Sequence, residues 1–140
     1  MLKEKNIWNL MIVLALIGIV LATYLLYNFY AVVPSTICNI SSGINCNAIT
    51  KGTLSTLFGI PVALVGLIGY AVILFSSLTK KKKMALGMTA FGMLFCLRLT
   101  ILELFFIKVI CPVCIACQII MLIVFLLSLQ LNYKWVKSSK

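Results

Sequence analysis

The sequence predicts an all-α membrane protein: a four-transmembrane-helix bundle whose outer loop carries a short interfacial helix. Three observations carry that expectation. Hydrophobic residues are 64% of the 140-residue chain and charged residues 10%, whereas soluble domains run near half apolar and a quarter charged. A domain this small keeps much of its area exposed and cannot hide such an excess from water. Four apolar stretches are each long enough to cross a hydrocarbon core of about 30 Å, which takes about 20 helical residues. Finally, the basic residues sit at the ends of those stretches. One domain, residues 1–140, accounts for the whole chain.

The first span is expected over 7–33, apolar apart from Asn9, Asn28 and three tyrosines, and stopped by Pro34. Lys3 and Lys5 ahead of it would also suit a secretory leader. The apolar core of a leader is about 7–15 residues and ends at a small-residue cleavage site. This run is longer and lacks such a site, so it reads as a retained helix. An outer loop follows over 34–59, in which 47–57 can form a short helix lying in the interface, with Leu54, Leu57 and Phe58 as anchors. The second span is expected over 60–78, closed by Lys80, Lys81, Lys82 and Lys83. The third covers 84–107 and the fourth 113–131. Helices suit this role because they satisfy their own backbone in lipid.

Charge sets the orientation. Twelve Lys/Arg against two Asp/Glu give a net charge of +10, with no His. Nucleic-acid binding would need a basic stripe interleaved with polar and aromatic residues, and that pattern is missing. With four spans, Lys3, Lys5, the tetralysine turn, Lys134, Lys137 and Lys140 share one side, against Lys51 and Lys108 on the other. That bias places both termini in the cytoplasm. The lysine run reads as an anchor attracted to anionic membrane lipids.

The same topology sorts the six cysteines. Cys38 and Cys46 lie in the outer loop, and Cys111 and Cys114 lie where the third span gives way to the fourth. Four thiols thus gather on the face where disulfides persist. Within Cys111-Pro112-Val113-Cys114, Pro favours the first position of a helix. Cys111 is then the N-cap and Cys114 sits in the first turn, where unpaired N–H groups and the helix dipole favour a thiolate. A static bridge is the plain reading of either pair; two pairs within reach of each other are what thiol–disulfide exchange requires. Cys96 and Cys117 read as small residues at helix contacts, since a CxxCxxC cluster site would need a fourth ligand and a holding loop. Without His, and with Glu4 and Glu103 as the only acids, no mixed-ligand metal site is expected. Glu103 and Arg98 are costly inside a bilayer and stand out for that reason. They are five residues apart, about 140° around a helix, and should not pair. Glu103 can bond a hydroxyl such as Thr100 or supply protons.

Several residues together carry a resemblance. Two loop cysteines eight apart precede Phe58-Gly59-Ile60-Pro61 at the start of the second span; Gly66 and Tyr70 follow, and CxxC opens the last span. In this order, over roughly 10–130, the chain resembles the vitamin K epoxide reductase family in its prokaryotic, disulfide-forming branch without a fused thioredoxin-like domain. The other family of quinone-linked disulfide generators carries its CxxC in the first outer loop, the reverse of the order here.

The resemblance implies an integral protein of a prokaryotic cell membrane that oxidises protein thiols and reduces a quinone of menaquinone, ubiquinone or vitamin K type. Its partner would be a separate thioredoxin-like periplasmic or extracytoplasmic protein. Cys114 would face the quinone as adduct or charge-transfer partner, and Cys111 would resolve it and exchange with Cys46. Cys38 would pass oxidising equivalents outward. Phe58 would help wall the quinone pocket and Ser55 would sit near a quinone carbonyl. Gly52 stands where many relatives carry Ser or Thr, and neighbouring Thr53 is the substitute hydroxyl. Two alternatives stand beside this reading: reduction of a quinone epoxide in a vitamin K cycle, and a non-enzymatic membrane subunit whose cysteines staple loops or bind a soft metal.

Overall fold

The computed structural model describes residues 3–30, 39–41, 44–45, 56–108 and 112–140. Four helices follow one another: α1 Glu4–Tyr30, α2 Val62–Leu78, α3 Lys82–Leu102 and α4 Pro112–Ser139. Each packs on the next in chain order, and α4 returns to α1, closing a ring of four. Three of the helices are long and apolar enough to cross a membrane; α2, at 17 residues, is apolar but shorter.

Buried positions on α1 run Trp8, Met11, Ala15, Gly18, Ala22 and Leu25, alternating steps of three and four that keep one stripe facing inward. Small residues in that stripe let helices approach closely, the usual device where lipid is as apolar as the core. At Gly18 the approach is complete: a Cβ would overlap the Tyr70 ring of α2. Tyr70 is buried and its hydroxyl donates to the Cys117 carbonyl of α4 at 2.6 Å, so one side chain ties three helices. Gly92 of α3 receives Met121 of α4 in the same way, 2.8 Å from where a Cβ would stand. The outward faces carry exposed Val20, Phe91, Leu94, Leu126 and their neighbours, as a lipid-facing surface should.

One end of the ring collects the lysines. Lys80 takes a left-handed conformation (φ 56°) after α2. The Lys81 amide then donates to Ser76 at 3.0 Å and the Lys80 amide to Ser77 at 3.3 Å, the bond pattern of a Schellman ending with Lys in place of Gly. Lys82 pairs with Glu4 of α1 at 2.7 Å. Lys83 sits over the Trp135 ring, 5.6 Å from its centroid, and Asn132 donates to the Lys82 carbonyl at 3.1 Å. The start of α1, the α2–α3 turn and the far end of α4 therefore meet at one end of the bundle.

The element boundaries depart from the sequence expectations in instructive places. α4 runs on to Ser139 instead of ending at 131, because Asn132 and Trp135 give its last turns contacts with α3. α3 begins at Lys82, and its final turn, Glu103–Ile107, widens to a π-helix closed by a Lys108-to-Glu103 bond of 2.8 Å. Of the interfacial helix expected over 47–57, Thr56 and Leu57 are extended and pair with Pro61 and Ile60. The two-residue turn between them has positive φ at Phe58 (52°) and Gly59 (83°), which matches the twist of a tight hairpin. Residues 31–33 of the first expected span and 47–55 of that helix lie outside the described residues.

Candidate thiol site at the head of the fourth helix

Pro112 opens α4, as its preference for the first helical position predicts. Cys114 thus falls in the first turn, where helix dipole and unpaired amides favour a thiolate. It packs beside Val113 and Ala63 against buried Leu25 of α1. Its thiol also shares a hydrogen bond with the Glu103 carboxyl at the end of α3. Glu103 is 8% exposed, and its Oε1 is buried without a hydrogen-bond partner among the described residues.

Both residues line an apolar, partly open cavity of about 140 Å³ bounded by all four helices. Leu25 and Phe29 of α1, Val62 of α2 and Phe95 and Leu99 of α3 contribute to its wall. Apolar cavities of about 150 Å³ stay dry and accept a benzene ring, so a planar ring fits here by size and polarity. One helical turn deeper, the Thr100 hydroxyl meets the Gln118 side-chain amide across the α3–α4 seam and reaches the Cys96 carbonyl at 3.0 Å. Cys96, Cys117 and Tyr70 line the cavity as well.

Of the residues singled out from sequence, the structure brings Cys114 and Glu103 together. Cys38, Cys46, Cys111, Ser55 and Thr53 lie outside the described residues. An antiparallel pair does form between Asn39–Ser41 and Ile44–Asn45, with Asn39 opposite Asn45, the residues next in sequence to Cys38 and Cys46. Phe58 stands at its hairpin tip, 97% exposed and outside the cavity lining; the aromatic rings on the cavity wall are Phe29, Phe91, Phe95 and Tyr70. The Thr100 hydroxyl, expected as a partner for Glu103, is directed to Gln118 and Cys96 instead. Arg98 faces outward among exposed Leu94, Leu97 and Ile101. Among the described residues no three His, Cys, Asp or Glu side chains gather as metal ligands.

Sequence reasoning missed the Thr100–Gln118 rung. The available signal was a lone amide four residues after Cys114, hence on the same helical face. Cys96 packs against the hydrophobic core, as expected of a residue at a helix contact, and both it and Cys117 also lie on the cavity wall.

A search among curated proteins finds no match. The vitamin K epoxide reductase family model matches residues 9–129, a stretch that enters all four helices and includes the thiol-bearing start of α4. The chain belongs to that family, and so to the integral-membrane oxidoreductases that join thiol chemistry to quinones or their epoxides.

Proposed function

We propose that the chain is a quinone-dependent thiol oxidoreductase that supports disulfide formation outside the cytoplasm. In this reading four helices span the membrane with both termini in the cytoplasm, where the lysine-rich end suits the excess of basic residues on that side. The thiol end then faces outward. Electrons enter from a separate thioredoxin-like protein at Cys38 and pass through Cys46 to Cys111 and Cys114. The acceptor is a membrane quinone of menaquinone, ubiquinone or vitamin K type. The setting is a prokaryotic cell membrane.

The observation that carries this reading is a reactive position opening on an apolar, ring-sized cavity. Cys114 sits at a helix start on a cavity formed by all four helices. A ligand with a long isoprenoid tail enters such a space from lipid, while water-borne thiols approach from the loop side. Pairing of Asn39 with Asn45 supports a loop in which the neighbouring cysteines act as a couple. When bound, the quinone supplies the capacity to accept two electrons and two protons. The protein's part is to favour ionisation of Cys114 at the α4 N-terminus, to line the acceptor site with an apolar wall, and to keep exchange partners at the interface. Ser55 and Thr53 are proposed polar neighbours of the quinone carbonyl, and Phe58 is an aromatic element of the outer hairpin.

Anaerobic mixing of the reduced, full-length protein with 2-methyl-1,4-naphthoquinone tests the reading. Quinol should form with loss of two thiols per quinol. The same protein given the 2,3-epoxide should form little quinone; rapid epoxide consumption would move the assignment to the epoxide branch. No product from either compound would remove the enzymatic reading.

A further inference from the structure

We infer that Glu103 is a catalytic residue of the thiol-to-quinone step, taking the proton from Cys114 and delivering it to the reduced acceptor; this rests on the quinone reading above. The Cys114 thiol hydrogen-bonds the Glu103 carboxyl between the end of α3 and the start of α4. Glu103 lies on the wall of the same cavity and is 8% exposed. Its Oε1 is buried without a hydrogen-bond partner among the described residues. Buried polar atoms are nearly always paired in folded proteins, so an orphan carboxyl oxygen beside a reactive sulfur calls for a use.

The surroundings narrow that use. Thr100, the nearest hydroxyl along α3, is directed to Gln118 and the Cys96 carbonyl. Lys108 is exposed, as is Arg98. Among the described residues the other titratable groups on the cavity are Cys96, Cys117 and Tyr70, and the Tyr70 hydroxyl donates a hydrogen bond to the Cys117 carbonyl. The chain holds no His and one other acid, Glu4, which is tied to Lys82 at the opposite end. Glu103 is therefore the acid–base group placed to serve this thiol.

Oxidation of the Cys111–Cys114 dithiol breaks two S–H bonds and forms one S–S bond. Two electrons go to the quinone, and its two oxygens each gain a proton to give quinol. Glu103, as carboxylate, accepts the Cys114 proton while that sulfur becomes a thiolate, then releases it to one quinol oxygen and is a carboxylate again. The Cys111 proton passes to water at the interface, and the second quinol proton comes from water there.

The test compares full-length wild type, Glu103→Gln and Glu103→Asp in lipid nanodiscs. Quinol formation from 2-methyl-1,4-naphthoquinone is followed against pH, alongside the pH profile of Cys114 alkylation by iodoacetamide without quinone. General acid–base groups contribute roughly 100-fold or more. Glu103→Gln should therefore slow quinol formation about 100-fold, remove one limb of the rate profile and alter the alkylation profile; Glu103→Asp should recover part of the rate. A Gln variant within threefold of wild type overturns the inference. So does a slow Gln variant that keeps both wild-type pH profiles, since that marks a packing role. If wild type makes no quinol, the quinone reading fails by itself. In that case an alkylation profile identical in wild type and Glu103→Gln still rejects Glu103 as the base for Cys114.

Discussion

The two ends of this bundle are built on opposite terms. At the lysine end, polar groups find defined partners: Lys82 with Glu4, Lys83 over Trp135, Asn132 on the Lys82 carbonyl, and the last carbonyls of α2 on the amides of the turn. At the thiol end, α3 finishes in a widened π-turn, a carboxyl oxygen is left without a partner, and a sulfur lies on an apolar cavity. Trp8 Nε1 and Ser128 Oγ, toward the lysine end, are also buried without a partner among the described residues; what sets the thiol end apart is that its orphan oxygen lies beside a sulfur on a cavity. One four-helix ring thus serves two purposes, and a few polar residues at each end decide which.

The largest test of this contrast removes the sulfur. Cys114→Ala should lower quinol formation by about 1000-fold or more, as loss of a nucleophile does, while leaving thermal unfolding near wild type. A variant that kept its turnover would show the thiol end to be structural as well. The next test strikes the seam between the ends. Gly18→Ala forces a methyl group against the Tyr70 ring, and overpacking of this kind costs about 1–3 kcal/mol. The unfolding midpoint in detergent micelles should drop, and an unchanged midpoint would mean that Tyr70 does not stitch α1 to α4.

Two smaller substitutions probe the lysine end alone. Lys80 holds a left-handed backbone without being glycine, a conformation that costs L-residues about 1–2 kcal/mol. Lys80→Gly should therefore raise stability by up to about 1 kcal/mol, with turnover unchanged. Glu4→Gln removes the exposed ion pair with Lys82 and should cost less than about 1 kcal/mol. That loss should shrink further in high salt, since screening weakens exposed pairs. Any effect of either change on Cys114 chemistry would break the separation of the two ends.

Much of the lysine end was readable from residue order, because basic residues at span ends and long apolar runs act through simple additive physics. The first and fourth helices follow from it, as does Pro112 at the head of α4. What escaped is local or pairwise. A hairpin at Phe58-Gly59 is hidden because Phe is not a turn former, and the left-handed turn depends on Gly59 and on pairing between Thr56 and Pro61. The extension of α4 to Ser139 depends on contacts of Asn132 and Trp135 with another helix. From sequence, Glu103 is expected to bond a hydroxyl such as Thr100 or to supply protons, and nothing in a linear spacing brings it to Cys114, eleven residues on. The packing of α3 against α4 does that.

The brevity of α2 has a mechanical consequence. Its 17 residues reach about 26 Å at 1.5 Å per residue, short of an average hydrocarbon thickness of about 30 Å. α1 and α4, at 27 and 28 residues, exceed it. With α2 as the fourth span proposed above, lipid beside it dimples while lipid beside its neighbours stretches or those helices tilt. Vesicles made from short acyl chains should therefore relieve the mismatch at that corner and ease the passage of a greasy electron carrier, so turnover should vary with membrane thickness in a protein whose sequence never changed.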